Sequence, residues 1–151
     1  DDGTRIRLSG KGEAGTKSGA NGDLYLFISV KNHSLFKRSE ENLFFELPIT
    51  FADAALGTAI EVPCINGSKV NVKIPAGTQY GKQLRLKDKG MPILRRNTFG
   101  DLYIRIIPEV PISLSKKQKE LLEEFKMLEK TKLSPTIKSF FEKAKKFWGT
   151  K

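Results

Sequence analysis

Two stretches of this chain repeat one another at a constant offset of 78 residues. Gly3, Arg7, Leu8, Lys11 and Gly12 recur as Gly81, Arg85, Leu86, Lys89 and Gly90. Beyond an unrelated intervening segment, Gly22-Asp23-Leu24-Tyr25 and Ile28 recur as Gly100-Asp101-Leu102-Tyr103 and Ile106 in the same register. One offset held across a loop of unshared sequence marks a duplicated structural unit. The second copy has a lead-in from about Leu43 to Thr78, whereas Asp1 aligns with Gln79. The chain is therefore expected to begin inside its first unit, as a piece of a longer protein with half of its first domain missing.

Each copy reads as two strands around a loop. Arg5-Ile6-Arg7-Leu8 alternates polar and apolar residues, the pattern of a half-buried strand. Lys11 to Gly22 is rich in Gly, Ser, Thr and Asn and reads as a loop. It resembles a phosphate loop only superficially: Thr16-Lys17 follows Gly15, so the lysine comes one place late, and no helical pattern follows. Leu24 to Val30 is apolar and β-prone. Without the lead-in, these two strands lack their partners and are expected to be loosely ordered or completed by another chain. A self-contained sandwich within residues 1–36 would contradict that expectation.

His33-Ser34-Leu35-Phe36 closes the first unit, and the polar run Lys37–Asn42 reads as a hinge to the next domain, residues 43–112. Leu43–Ile49 opens that domain as a strand, with Pro48 expected at an edge or near the strand end. Thr50 can cap a short helix, Phe51–Leu56, stopped by Gly57. Asn66-Gly67 between Ala59–Pro63 and Lys69–Ile74 is a strong hairpin signal. The loop Lys87–Gly100 and the strand Asp101–Ile107 complete the second copy.

The character changes at Pro111. Ser115 is a plausible N-cap for a helix from Lys116 to Lys130, on which Leu121, Leu122, Phe125 and Leu128 make one apolar stripe. After a break at Leu133-Ser134-Pro135, residues Ile137, Phe140, Phe141, Ala144, Phe147 and Trp148 form a second amphipathic pattern with lysines opposite. The expected architecture is mainly β, with two related sandwich-like domains, the first truncated, followed by a helix over 113–132 and a basic amphipathic helix over 133–151.

Composition narrows the function classes. The net charge is +10, and from Ser113 onward 11 lysines face 5 glutamates. Such a bias suits nucleic acid, an acidic surface or simply a solvated helix face. No apolar run approaches the ~20 residues of a membrane span. Cys64 is the only cysteine, which excludes an internal disulfide or a cysteine-rich zinc site. It reads as a small buried hydrophobe and fits a reducing compartment such as the cytoplasm. The only histidine, His33, has no nucleophile suggested beside it, and Glu40-Glu41 reads as a solvated pair, so the chain is not expected to be an enzyme.

Several motifs resemble one family in order as well as content. Ala76-Gly77-Thr78-Gln79, Arg85, Gly90-Met91-Pro92, both Gly-Asp-Leu-Tyr segments, His33-x-x-Phe36 and Leu114-Ser115-x-x-Gln118-Lys119-x-Leu121-Leu122 resemble the DnaJ-type J-domain co-chaperones. The resemblance covers Asp1 to about Phe125, and the tail from Ser139 to Phe147 looks like bacterial members. The matching region is the client-binding one, two similar β-domains followed by a dimerisation helix.

The resemblance implies a non-enzymatic partner of unfolded polypeptides. The first β-domain of the family takes up a client segment as an added strand in an apolar groove, a mode in which backbone hydrogen bonds give sequence-tolerant affinity. Phe36, Leu35, Ile6 and Leu8 are the residues expected to line it. Leu114, Leu121, Leu122, Phe125 and Leu128 are expected to form a homodimer contact that holds two weak client sites together. The J-domain with its His-Pro-Asp motif, which engages a DnaK-type ATPase, is absent from this sequence. So are the Gly/Phe-rich linker and the Cys-x-x-Cys-x-Gly-x-Gly repeats. No cofactor is therefore expected here, and any zinc belongs upstream. The rival reading, a nucleic-acid module using the lysine-rich end, lacks the basic–aromatic β-face of single-strand binders. Membrane contact by the last helix is physically allowed but is not the expected role.

Overall fold

The second lead-in builds a short helix and two hairpin strands onto the repeated unit, and the computed structural model shows how. It describes residues 1–15, 19–130, 132 and 134–149. Strands β1 (Arg5–Leu8) and β2 (Leu24–Phe27) form the first copy; β3 (Lys37–Ser39) and β4 (Asn42–Thr50) follow. Then come α1 (Phe51–Leu56), β5 (Thr58–Pro63), β6 (Lys69–Ile74), β7 (Gln83–Leu86) and β8 (Leu102–Glu109). Helices α2 (Lys116–Glu129) and α3 (Pro135–Gly149) end the chain. Residues Asp1–Pro108 form one unit and Glu109–Lys151 another.

The larger sheet runs β3-β4-β8-β7, and β5 and β6 form a separate antiparallel ribbon. Alternation decides the inward faces. Leu43, Phe45 and Ile49 of β4 and Leu102, Ile104 and Ile106 of β8 point into one core with Val62, Val72 and Ile74 of the ribbon and Ala54 of α1. A one-residue slip in either strand would turn that set to solvent, so burial holds the register. Pro48 lies beyond the last β3–β4 rung at Phe44, where its missing N–H breaks no bond to β3.

Local signals act as read. The hydroxyl of Thr50 accepts from the amide of Asp53 and caps α1, and Gly57 ends it at φ 82°. The β5–β6 ribbon turns through Asn66-Gly67, with Gly67 at φ 86°. Cys64 is a buried, free thiol.

The two copies superpose in their bonding as well as their sequence. Arg5, Ile6, Arg7 and Leu8 pair with Phe27, Leu26, Tyr25 and Leu24; Gln83, Leu84, Arg85 and Leu86 pair with Arg105, Ile104, Tyr103 and Leu102, every rung displaced by 78. The amide of Gly3 donates to Ile28 at 2.8 Å, as Gly81 does to Ile106 at 2.9 Å, and Gly12 donates to Gly22 as Gly90 does to Gly100, both at 2.8 Å.

Two expectations change. The strands of the first copy pair with each other and, among the described residues, no lead-in strand joins them, but their residues are all exposed rather than half-buried. No self-contained sandwich forms within the described residues of 1–36. The polar run Lys37–Asn42 is not a loose hinge. Lys37–Ser39 pairs with Asn42–Phe44, Glu40 takes a left-handed φ of 54°, and the Nε of Arg38 donates to the Glu40 carbonyl at 2.6 Å. The Glu41 carbonyl accepts from the amide of Met91 at 2.8 Å, which ties this hairpin to the β7–β8 loop. The phosphate-loop question at Thr16-Lys17 and the break at Leu133 lie outside the described residues.

In the C-terminal unit, Ser115 and Gln118 make a reciprocal capping box at the start of α2, satisfying two backbone donors that an uncapped helix leaves open. Neither α2 nor α3 has a buried residue.

Candidate functional site

Antiparallel pairing puts directly opposed residues on one face. Ile6 opposite Leu26 and Leu8 opposite Leu24 therefore make a four-residue apolar face on the β1–β2 ribbon. All four are about two-fifths exposed. On the other face the Arg5 guanidinium lies over the Tyr25 ring, 4.2 Å from its centroid, with Phe27 beyond it. Leu24 and Leu26 were not picked out from sequence as site residues. The repeat could have identified them, because their counterparts Leu102 and Ile104 lie on the same strand face as Leu84 and Leu86.

In the second copy the equivalent face is Leu84, Leu86, Leu102 and Ile104. The two β8 residues are fully buried there, and the two β7 residues pack against the core. β8 owes this cover partly to β4, its other neighbour in the sheet. The amide of Leu43 also donates to the Asp101 carbonyl at 2.9 Å. Among the described residues β2 has β1 as its sole strand neighbour.

Leu35 is exposed at 41%, but Phe36 is a core residue at 6%. Its ring packs edge-on against Phe45, centroids 5.5 Å apart, and lies 5.1 Å from His33. The reason is local: His33 Nδ1 accepts from the amides of Leu35 at 3.0 Å and Phe36 at 3.2 Å. That turn directs Phe36 into the sheet core. It anchors the segment from which Leu35 projects.

One carboxylate in the repeat is electrically distinctive. Asp101 is held below the usual carboxylate range, first by the amide of Asp88, which donates to it at 3.1 Å, and then by Arg85; desolvation works the other way. These groups lie at the ends of β7 and β8 and hold the loop between them. Among the described residues there is no cluster of three or more His, Cys, Asp or Glu that could hold a metal ion.

The expected dimerisation residues sit on α2 and just before it. Leu114, Leu121, Phe125 and Leu128 are exposed and Leu122 is partly buried. No helix among the described residues is long and apolar enough to cross a membrane.

The relationships of the chain agree with this arrangement. Residues 1–111 match the family model for the DnaJ C terminal domain, and residues 117–150 match one for the Chaperone protein DnaJ C-terminal region. Over 148 residues, 98% of the chain, it is 66% identical to Chaperone protein DnaJ of Pelagibacter ubique. It is 53% identical to the protein of that name from Brucella anthropi, and 51% to that from Azorhizobium caulinodans, over the same share. The chain spans 39% of the length of each of these relatives. With a repeated β-unit matched from end to end and a helical tail matched separately, the chain belongs to the DnaJ C-terminal domain family.

Proposed function

We propose that this chain is the client-binding and dimerising part of a DnaJ-type co-chaperone. It takes up exposed apolar segments of unfolded polypeptides by strand addition and presents them to a DnaK-type ATPase chaperone that a J-domain elsewhere in the full protein engages. The single observation that carries the reading is the match of residues 1–111 to the DnaJ C terminal domain, whose first copy here presents the apolar face Ile6, Leu8, Leu24 and Leu26. In the second copy β8 is flanked by β4, a strand of alternating apolar residues, and β7 is the sheet edge, so by the repeat the outer edge of β1 is the one left for an added strand. A client strand of similar alternation is the natural complement. It would satisfy backbone groups along β1 and bury apolar side chains against the ribbon. Leu35 adds to the apolar surface of the same unit.

The role is binding, not catalysis, and it needs no metal within these residues; zinc, if the full protein carries it, would be held upstream. Dimerisation through α2 would place two such sites on one particle and raise avidity without any new client contact. The cytoplasm is the compartment this reading implies.

The test is binding of a labelled extended peptide with alternating Leu and polar residues, measured by fluorescence anisotropy. Leu8→Asp and Leu26→Asp are each expected to weaken binding by about tenfold or more, equivalent to ~1.4 kcal/mol. Raising salt from 50 to 500 mM should leave the affinity nearly unchanged, whereas binding through phosphate contacts would fall by orders of magnitude. Unaltered affinity in both variants would refute the site.

A further inference from the structure

Both C-terminal helices carry apolar side chains that are open in the single chain. Leu121 and Phe125 of α2 are half exposed, and so are Ile137, Phe140 and Phe141 of α3, with Trp148 more open still. Helices of 14 and 15 residues are marginal in water by propensity alone and gain most of their stability from a packed apolar face. Cover for one stripe without the other would leave the problem half solved.

The charges beside the stripes differ between the two helices. At ~100° per residue, Glu124 and Glu129 flank the Leu121–Phe125 stripe on its two sides. On α3, Lys138 and Lys145 lie along one side of the Ile137–Phe141–Trp148 stripe. Over its whole length α2 carries four lysines and four glutamates, with all four glutamates and one lysine from Glu120 onward, while α3 carries four lysines and one glutamate. Pairing α3 with its own copy sets lysine flanks against each other, and pairing α2 with its own copy leaves the α3 stripe bare.

We propose that two copies of this chain associate by laying α2 of one against α3 of the other, twice, about a two-fold axis. The proposal rests on the dimer reading above and adds which faces meet. A two-fold axis makes both contacts identical, so one complementary pair of stripes generates a closed interface covering all four helices. Opposite charges along the edges set partner choice and orientation, as at coiled-coil flanks. α3 thereby gains a role as the other half of the dimer contact.

Charge reversal tests this in the whole chain. The double variant Glu124→Lys/Glu129→Lys and the double variant Lys138→Glu/Lys145→Glu are each expected to raise the dimer dissociation constant in sedimentation velocity by about tenfold or more. An equimolar mixture of the two is expected to form a mixed dimer, seen as one mass by native mass spectrometry, because each α2–α3 contact is then again complementary. Two misfolded chains cannot rescue each other, so this recovery also controls for folding. Swapped chains that each dimerise like the parent would overturn the α2–α3 pairing and leave the dimer itself standing. A mixture that stays monomeric would overturn the pairing between copies. A parent chain that is monomeric throughout would sink the dimer reading together with this one.

Discussion

The Nε of Arg85 donates to Oδ2 of Asp101 at 2.6 Å, joining the end of β7 to the start of β8. The other carboxylate oxygen accepts from the amide of Asp88. In the first copy Arg7 donates in the same way to Asp23 at 2.7 Å, and Asp23 accepts from the amide of Gly10 at 3.1 Å. One aspartate thus closes the mouth of a loop by bonding a strand and a backbone amide at once. The device is repeated in both copies although the loops themselves share little sequence.

Asp101→Asn keeps an oxygen for the Asp88 amide but removes the charge. Because the folded-state pKa of Asp101 lies below the ordinary carboxylate value, its charge contributes stability that is present above ~4. That contribution is lost as pH falls through the lowered value. The variant is therefore expected to melt below the parent at pH 7, with the gap closing as pH drops below about 4. Thermal melts by circular dichroism across pH 2.5–7 give the comparison; a gap that is constant with pH would contradict it.

Equivalent residues in the two copies should differ sharply in worth. Ile104 is fully buried, and its counterpart Leu26 is 39% exposed. Ile104→Ala is expected to cost about 2–5 kcal/mol in urea denaturation. Leu26→Ala should cost under about 1 kcal/mol. Equal losses would mean that the first copy has a second layer in solution.

The same logic separates two glycines. A Cβ on Gly100 would overlap the carbonyl oxygen of Glu41, whereas one on Gly22 meets nothing nearer than the Glu13 carbonyl at 3.9 Å. Gly100→Ala is expected to destabilise by about 1–3 kcal/mol or more, because backbone on both sides must move. Gly22→Ala should lie within about 1 kcal/mol of the parent. Urea midpoints of the two variants decide the matter.

His33 should act through its acceptor nitrogen. His33→Ala leaves the amides of Leu35 and Phe36 without that partner and is expected to cost roughly 1 kcal/mol. His33→Asn, whose side-chain oxygen can accept from the same amides, is expected to recover most of the loss. Phe36→Ala should cost more than either, about 3–5 kcal/mol, as an emptied core position. Were Phe36→Ala to weaken peptide binding without lowering stability, its assignment to the core would be wrong.

A polar substitution in the α2 stripe should separate the copies. Leu122→Asp with Phe125→Asp is expected to convert the chain from dimer to monomer in multi-angle light scattering, since two charges per copy would enter an apolar contact. An unchanged mass would place the contact elsewhere.

Periodicity, turn chemistry and the repeat determined much of this protein. The α1 cap at Thr50, the Asn66-Gly67 hairpin, the Ser115 N-cap and both amphipathic helices follow from short-range rules that depend on nearby residues. The constant offset of 78 carried the register of β1–β2 and β7–β8, because like sequences make like rungs. Tertiary structure alone decided what each face meets. Nothing local distinguishes Leu26 from Ile104, yet one is open and the other sealed beside a strand from a distant part of the chain. Likewise Lys37–Asn42 is polar enough for a linker but is held as a hairpin by contacts to the β7–β8 loop, and Phe36 packs edge-on against Phe45 in the core. Burial depends on residues far away in sequence: the second copy is sealed by strands of its own lead-in, which short-range rules cannot anticipate.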